Sequence, residues 1–319
     1  MEYRALGRSG VKVSPLCLGT MNFGDPTGEE ESIRVIHAAL DAGINFVDTA
    51  NVYNHGVSEE IVGKALQGRR HQVVLATKVH GKMGVGPNDY GNSRYHIMQQ
   101  VEDSLRRLRT DHIDLYQLHR PDPETPLDEQ LGALTDLVRQ GKVRYIGSST
   151  FPAWQLCESL CVSERRLLER FICEQPPYSL LNRRIETETL PFCRAHGFAV
   201  IPWSPLAGGW LTGKYQKGQA APGDSRAHGS SWDLQSDEAR RRFDAVEKLL
   251  PLAKEAGVSL LQFSLAWLLA NPAVTAPIIG PRNMRQLEEN LPAAHLSLDA
   301  ALLKKVDAAV APGGNLMNY

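Results

Sequence analysis

Val73-Val-Leu-Ala-Thr-Lys78, a segment of helical periodicity from Ser93 or Tyr95 to Leu108, and Ile113-Asp-Leu-Tyr-Gln-Leu118 ending against His119 together decide the fold. Two short runs of β-branched and aliphatic residues joined by an amphipathic helix read as a βα unit and the strand that follows it. Six more such runs occur: Leu16 to Gly19, Ile44 to Asp48, Val143 to Gly147, Phe171 to Glu174, Ala199 to Trp203 and Val274 to Ile279. Most lie about thirty residues apart, the span of one βα unit. Between them Ile33, Ile36, His37 and Leu40 repeat at helical spacing. Leu127 to Arg139 and Asp237 to Ala256 do the same, and Asp41-Ala-Gly43 and Gln140-Gly141 read as helix stops. Eight buried strands, each followed by a helix, imply an α/β protein of the parallel (β/α)8 TIM-barrel type, because an open sheet of eight would still need its edges protected.

Tyr3-Arg-Ala, a Gly7-Arg-Ser-Gly10 turn and Val11-Lys-Val13 read as an amino-terminal β-hairpin that closes the bottom of this barrel. Two long connections, Val79 to Asn92 and Ser204 to about Ser236, are expected at the carboxyl-terminal face as lids or disordered segments. No linker-like shift in composition divides the chain, so residues 1–319 read as a single domain that begins at its first hairpin and ends soon after its last helix.

Composition narrows the function. With 42% hydrophobic and 22% charged residues, the 319-residue chain is neither disordered nor collagen-like. Thirty-five basic against thirty-six acidic residues give a net charge of -1, so no global field attracts nucleic acid or an anionic membrane. No apolar stretch approaches the roughly 20 residues of a membrane span, and MEYRALGRSG lacks the apolar core of a signal peptide. Five scattered cysteines without a CxxC or a neighbouring histidine imply reduced thiols, a cytoplasmic protein and no zinc site.

Barrel enzymes carry their chemistry at the carboxyl ends of the strands. Here the runs end in Thr20, Asp48, Lys78, His119, Ser148-Ser149, Gln175, Trp203-Ser204 and Gly280, and Tyr53 follows Asp48 in the next loop. Alone, Asp48 or His119 reads equally well as a cap, and an Asp–Lys pair as structure. Together the four groups suit carbonyl polarisation with proton delivery. A phenol holds its proton at neutral pH and releases it only where the phenolate is stabilised, which an ammonium on Lys78 does. Asp48 would keep that ammonium charged, and His119 would orient the substrate oxygen. A metal-dependent barrel would need more carboxylates or histidines than Asp48 and His119 supply.

Leu18-Gly-Thr-Met-Asn-Phe-Gly24, Gly43-Ile-Asn-Phe-Val-Asp-Thr-Ala50 with Tyr53 and Ser58-Glu59, Ala76-Thr-Lys78, and Asp114-Leu-Tyr-Gln-Leu-His119 occur in order, followed by Gly141-Lys-Val-Arg-Tyr-Ile-Gly147, Trp203-Ser-Pro-Leu206 and Ile279-Gly-Pro-Arg282. On these motifs the chain resembles the aldo-keto reductase superfamily over essentially its whole length, and within it the bacterial and channel-subunit branches. The resemblance implies catalytic Asp48, Tyr53, Lys78 and His119 and an NADPH cofactor (NADP+ when oxidised) bound without a dinucleotide fold; no GxGxxG follows a strand. It implies that Ser149 and Gln175 hold the carboxamide and that Trp203 stacks on the nicotinamide. Ser204, Leu206, Gly208 and Lys214 would wrap the pyrophosphate, Arg282 would meet the 2′-phosphate, and Gln286 and Asn290 the adenosine. Gly19, Thr20, Thr150, Gly280 and Glu289 complete the set. Thr150 stands where relatives usually carry Asn, and lacks the amide's paired donor and acceptor. Physically, Arg282 at a helix amino terminus would add its guanidinium to backbone amides as a phosphate site.

For substrate, the loops offer Phe23, Tyr90 and Trp232, a mixture suited to an uncharged or weakly polar aldehyde or ketone; Arg94 and Arg120 are the alternative, as anion sites. The rival functions are a nucleotide-binding sensor or partner-binding subunit with little turnover, and the same site running as an alcohol or sugar dehydrogenase. Oligomeric state has no signature in the sequence.

Overall fold

The computed structural model describes residues 1–223, 225, 227–228, 232–317 and 319; five residues of the 204–236 connection and Asn318 lie outside this set. A hairpin of β1 (Arg4–Ala5) and β2 (Lys12–Val13) precedes β3 (Cys17–Gly19), β4 (Phe46–Asp48), β5 (Val74–Val79), β6 (Ile113–Leu118), β7 (Val143–Ser149), β8 (Cys173–Gln175), β9 (Ala199–Val200) and β10 (Ile278–Ile279). The last eight form one parallel sheet in the order β10-β3-β4-β5-β6-β7-β8-β9. The sheet curls shut: the Thr275 and Ile278 amides donate to the carbonyls of Val200 and Pro202, both at 2.8 Å. The outcome is the expected (β/α)8 barrel, with no free edge to protect.

Helices α1 (Glu29–Asp41), α2 (Val57–Ala65), α3 (Arg94–Leu108), α4 (Leu127–Arg139), α5 (Ala153–Arg166) and α6 (Thr189–His196) follow β3 to β8 in turn. Between β9 and β10 stand two helices, α7 (Asp237–Glu255) and α8 (Leu260–Ala270), and α9 (Met284–Asn290) and α10 (Ala300–Ala309) close the chain. Helix α8 was not legible as a helix, because an apolar stripe is what marks one and α8 has none. Leu260 through Leu269, Gln262 excepted, are buried all round, and only a capping box of Ser259 and Gln262 marks its start. Among the described residues no helix is long and apolar enough to cross a membrane.

Inside the barrel the two-residue period of the strands stacks side chains in layers. Phe46, Ala76, Leu115, Cys173, Ala199 and Ile278 form an apolar floor, with Leu6 and Val13 of the hairpin sealing it from below. All eight are 9% exposed or less. The hairpin therefore plugs the barrel as expected, and its turn allows this: at Gly7 (φ +58°) an added Cβ would come within 2.5 Å of the Ile172 carbonyl and 2.7 Å of the Ala199 amide.

Gly7→Ala is expected to cost about 1–3 kcal/mol of stability, through both the clash and the left-handed backbone. Gly10→Ala, in the same turn but with nothing within 4 Å of the new Cβ, is the control. Urea midpoints of the two variants check this; equal midpoints would show that the hairpin does not need the close approach.

Candidate active site

Two residues beyond the floor on each strand, the same inward-facing rows turn polar. Phe46 gives way to Asp48, Ala76 to Lys78, Leu115 to Gln117 and Cys173 to Gln175. The register sets Asp48 beside Ala76 and Lys78 beside Gln117. Lys78 is 0% exposed; its Nζ donates to Asp48 Oδ1 at 2.5 Å, to the Thr49 carbonyl at 2.7 Å and to the Tyr53 hydroxyl at 3.2 Å. The second Asp48 oxygen accepts from Gln117 Nε2 and Gln175 Nε2, each at 3.0 Å, and Gln175 also donates to Gln117 Oε1 at 3.2 Å. Every acceptor and donor of the buried ion pair is thus engaged, which a charge pair cut off from water requires.

Tyr53 opens a 3-10 turn, Tyr53–Gly56, whose next two residues adopt left-handed backbone (Asn54 φ 47°, His55 φ 54°). The turn is tied down by Asn54 Nδ2, which donates to the carbonyls of Phe23 at 2.7 Å and Asp25 at 3.1 Å. Behind it Ser58 donates to the Thr20 carbonyl at 2.8 Å, and buried Glu59 accepts from Thr77 and from Arg107. The His119 ring stands edge-on to Tyr53, centroids 5.6 Å apart.

Burial alone would discharge Lys78, but Asp48 and Tyr53 outweigh it and hold its pKa above the ordinary value. Burial pushes the Tyr53 phenol up, and the pull of Lys78 only partly opposes this. The phenol therefore keeps its proton more firmly than the sequence reading implied. His119 lies well below the usual histidine range because burial, then the charges of Lys78 and Arg120, disfavour the imidazolium. It is a neutral hydrogen-bonding ring.

A cavity of about 790 Å³ opens above this layer, within the range of ligand sites. Asp48, Tyr53 and His119 line one end together with Gly19, Thr20, Ser149, Gln175 and Trp203. Ser204, Leu206, Gly208, Lys214, Gly280, Arg282, Gln286, Glu289 and Asn290 also line it. The donor set suits an elongated, charged nucleotide. Two atoms lining it, Trp203 Nε1 and Asn290 Oδ1, are buried with no hydrogen-bond partner among the described residues.

Four of the expected site residues stand outside the cavity lining. Thr150 does not line the cavity; its hydroxyl donates to the Ser149 carbonyl at 2.6 Å and accepts from Arg120 at 3.3 Å. Phe23 is wholly buried in the core. Tyr90 bonds His80 at 2.9 Å and Trp232 lies against Gly208, both outside the lining. At α9 three amides are already used: Arg282 N by Gln286 Oε1, Met284 N by Glu31 Oε1 and Gln286 N by Asn283 Oδ1. Sequence reasoning missed Gln117, although its place two residues before His119 on β6 marks the same inward row.

The sequence model of the Aldo/keto reductase family matches residues 15–311. The chain belongs to that family of oxidoreductases. It is 46% identical over 326 residues to a Bacillus subtilis protein named uncharacterized oxidoreductase YrpG, with 98% of each chain covered. It is 39% identical to a rice protein named probable voltage-gated potassium channel subunit beta, over 97% of each chain, and 35% identical to versiconal hemiacetal acetate reductase of Aspergillus parasiticus, over 98% of each.

One buried acid in this aldo/keto reductase fold lies outside the Lys78 network. Glu174 is 0% exposed and accepts from Ser148 Oγ at 2.5 Å and the Phe151 amide at 3.1 Å, bracing the turn after β7. Burial outweighs these donors and raises its pKa to about 8. From the ordinary carboxylate range up to about pH 8 the fold keeps a proton that the unfolded chain has released, so stability falls as pH rises. Glu174→Gln removes that penalty. Its stability relative to the unmodified protein is expected to climb from pH 5 to pH 9, by up to about 1.4 kcal/mol per unit. Denaturant midpoints at pH 5, 7 and 9 measure it, and a flat difference would mean the charge is accommodated.

Proposed function

We propose that this chain reduces an aldehyde or ketone to the alcohol with NADPH, Tyr53 supplying the proton. The observation that carries the reading is one buried ammonium, Lys78, shared between Asp48 at 2.5 Å and the Tyr53 hydroxyl at 3.2 Å, with a neutral His119 beside them. A carbonyl oxygen between the Tyr53 hydroxyl and the His119 ring accepts a hydrogen bond from each. When bound, NADPH supplies the hydride taken up by the carbonyl carbon.

Charge then builds on the carbonyl oxygen, and the Tyr53 proton crosses to it. The resulting phenolate sits against Lys78, whose charge is held by Asp48, so the proton leaves at the moment the ammonium can compensate it. Gln117 and Gln175 keep Asp48 from turning away. Gln175 spends Nε2 on Asp48 and Gln117, which leaves Oε1 to accept from a carboxamide, with the Ser149 hydroxyl beside it. The Trp203 indole would offer the stacking face, Lys214 would meet the pyrophosphate and Arg282 the 2′-phosphate. The same relay run backwards oxidises an alcohol.

The channel-subunit name borne by the rice relative supports a second reading, a nucleotide-binding subunit with little turnover. Turnover separates the two. NADPH consumption with a reactive aromatic aldehyde is expected to fall by about 10²–10⁴-fold in Tyr53→Phe, while fluorescence reports cofactor binding retained; a variant as fast as the unmodified protein refutes the proton assignment. Arg282→Ala is expected to reduce the preference for NADPH over NADH by about tenfold or more, the worth of a charge-assisted contact. Dissociation constants for both nucleotides test this, and an unchanged ratio assigns the 2′-phosphate elsewhere.

A further inference from the structure

The aromatic side chains expected to favour a neutral substrate do not line the reacting end of the cavity, while one arginine does. Arg120, directly after His119, is exposed at the mouth of the cavity. Its Nη1 donates to the His119 carbonyl at 3.1 Å and to Thr150 Oγ1 at 3.3 Å, and its guanidinium stands 5.6 Å from the Trp203 ring centroid. These contacts fix the plane of the fork and leave Nη2 and Nε without a hydrogen-bond partner among the described residues. No carboxylate there lies within ion-pair distance of it. Arg94, the other candidate, is neutralised by Asp136 at 2.7 Å.

Around Arg120, the buried acid that feels its charge, Glu174, is held mostly protonated at neutral pH by burial. Lys78 is matched by Asp48, and His119 is neutral at neutral pH. The remaining cations that line the cavity are Lys214, Arg282 and Arg285, the last paired with Glu289 at 2.8 Å. An oriented, uncompensated guanidinium one residue from the group that receives the carbonyl oxygen has the geometry for bidentate carboxylate recognition.

We infer that Arg120 makes this enzyme selective for aldehydes and ketones bearing a carboxylate within a short carbon chain or one aromatic ring of the carbonyl. The inference rests on the reductase reading above.

The test compares kcat/KM for 4-carboxybenzaldehyde with that for its methyl ester, in the unmodified protein, Arg120→Met and Arg120→Lys. Comparing ratios between proteins cancels the intrinsic reactivity of the two aldehydes. The acid-to-ester ratio is expected to fall about ten- to hundredfold in Arg120→Met, and by less in Arg120→Lys, which keeps the charge without the fork. A ratio within about twofold of the unmodified protein overturns the inference, as does equal loss on both aldehydes with weakened cofactor binding. A second measurement needs no variant. Benzoate is expected to compete with aldehyde at least about tenfold more tightly than benzamide, and equal inhibition also overturns the inference. Failure of the unmodified protein to consume cofactor with either aldehyde refutes the reductase reading and this one with it. Turnover of both with an unmoved ratio refutes this one alone.

Discussion

A buried ion pair that must have every remaining donor and acceptor satisfied governs how the upper barrel is built. Lys78 and Asp48 sit in a layer without water access, where losing either partner would strand a charge at a cost of about 3–5 kcal/mol. The pair is tolerated because four strands of the barrel deliver partners at one height: Asp48 from β4, Lys78 from β5, Gln117 from β6 and Gln175 from β8. Beneath them the strands have apolar side chains in the same rows. The boundary between the two layers is the boundary between the part of the barrel that supplies stability and the part that supplies chemistry.

The strands and the polar residues that end them were legible in the sequence for the same reason. A parallel strand buried on both faces is a run of β-branched and aliphatic residues, and a polar residue ending such a run stands at the barrel mouth whatever the loops do. Asp48, Lys78, His119 and Gln175 were therefore findable from spacing, and the closing hairpin from its Gly-rich turn. What failed depended on loop conformation. Phe23 follows β3 by four residues, too far for strand direction to fix it, and it turns into the core, where its carbonyl receives Asn54. Tyr90 is turned by its bond to His80. At the start of α9, Glu31 from α1, far away in the chain, takes the Met284 amide, a contact that no local pattern announces. Helix α8 escaped because a helix buried on all sides has lost the periodicity that identifies helices.

Electrostatics at the reacting end follows from depth. The charged pair is deepest, the phenol and the uncharged imidazole lie above it, and Arg120, with no carboxylate at ion-pair distance among the described residues, is at the rim. Burial raises the pKa of Tyr53 and lowers that of His119, so both groups stay neutral until substrate draws charge from them. A site arranged this way holds its polarity in reserve and spends it only on a group that arrives in the cavity.

The seam of the cylinder has a consequence for how the protein is made. Strand β10 lies between β3, among the first residues synthesised, and the β9 segment, and the cavity wall joins Gly19 and Thr20 to residues 280–290. Neither the closed cylinder nor the nucleotide cleft exists until nearly the whole chain has left the ribosome. Chains ending before β10 would carry Asp48, Tyr53, Lys78 and His119 yet leave the cylinder open and the cavity without one wall.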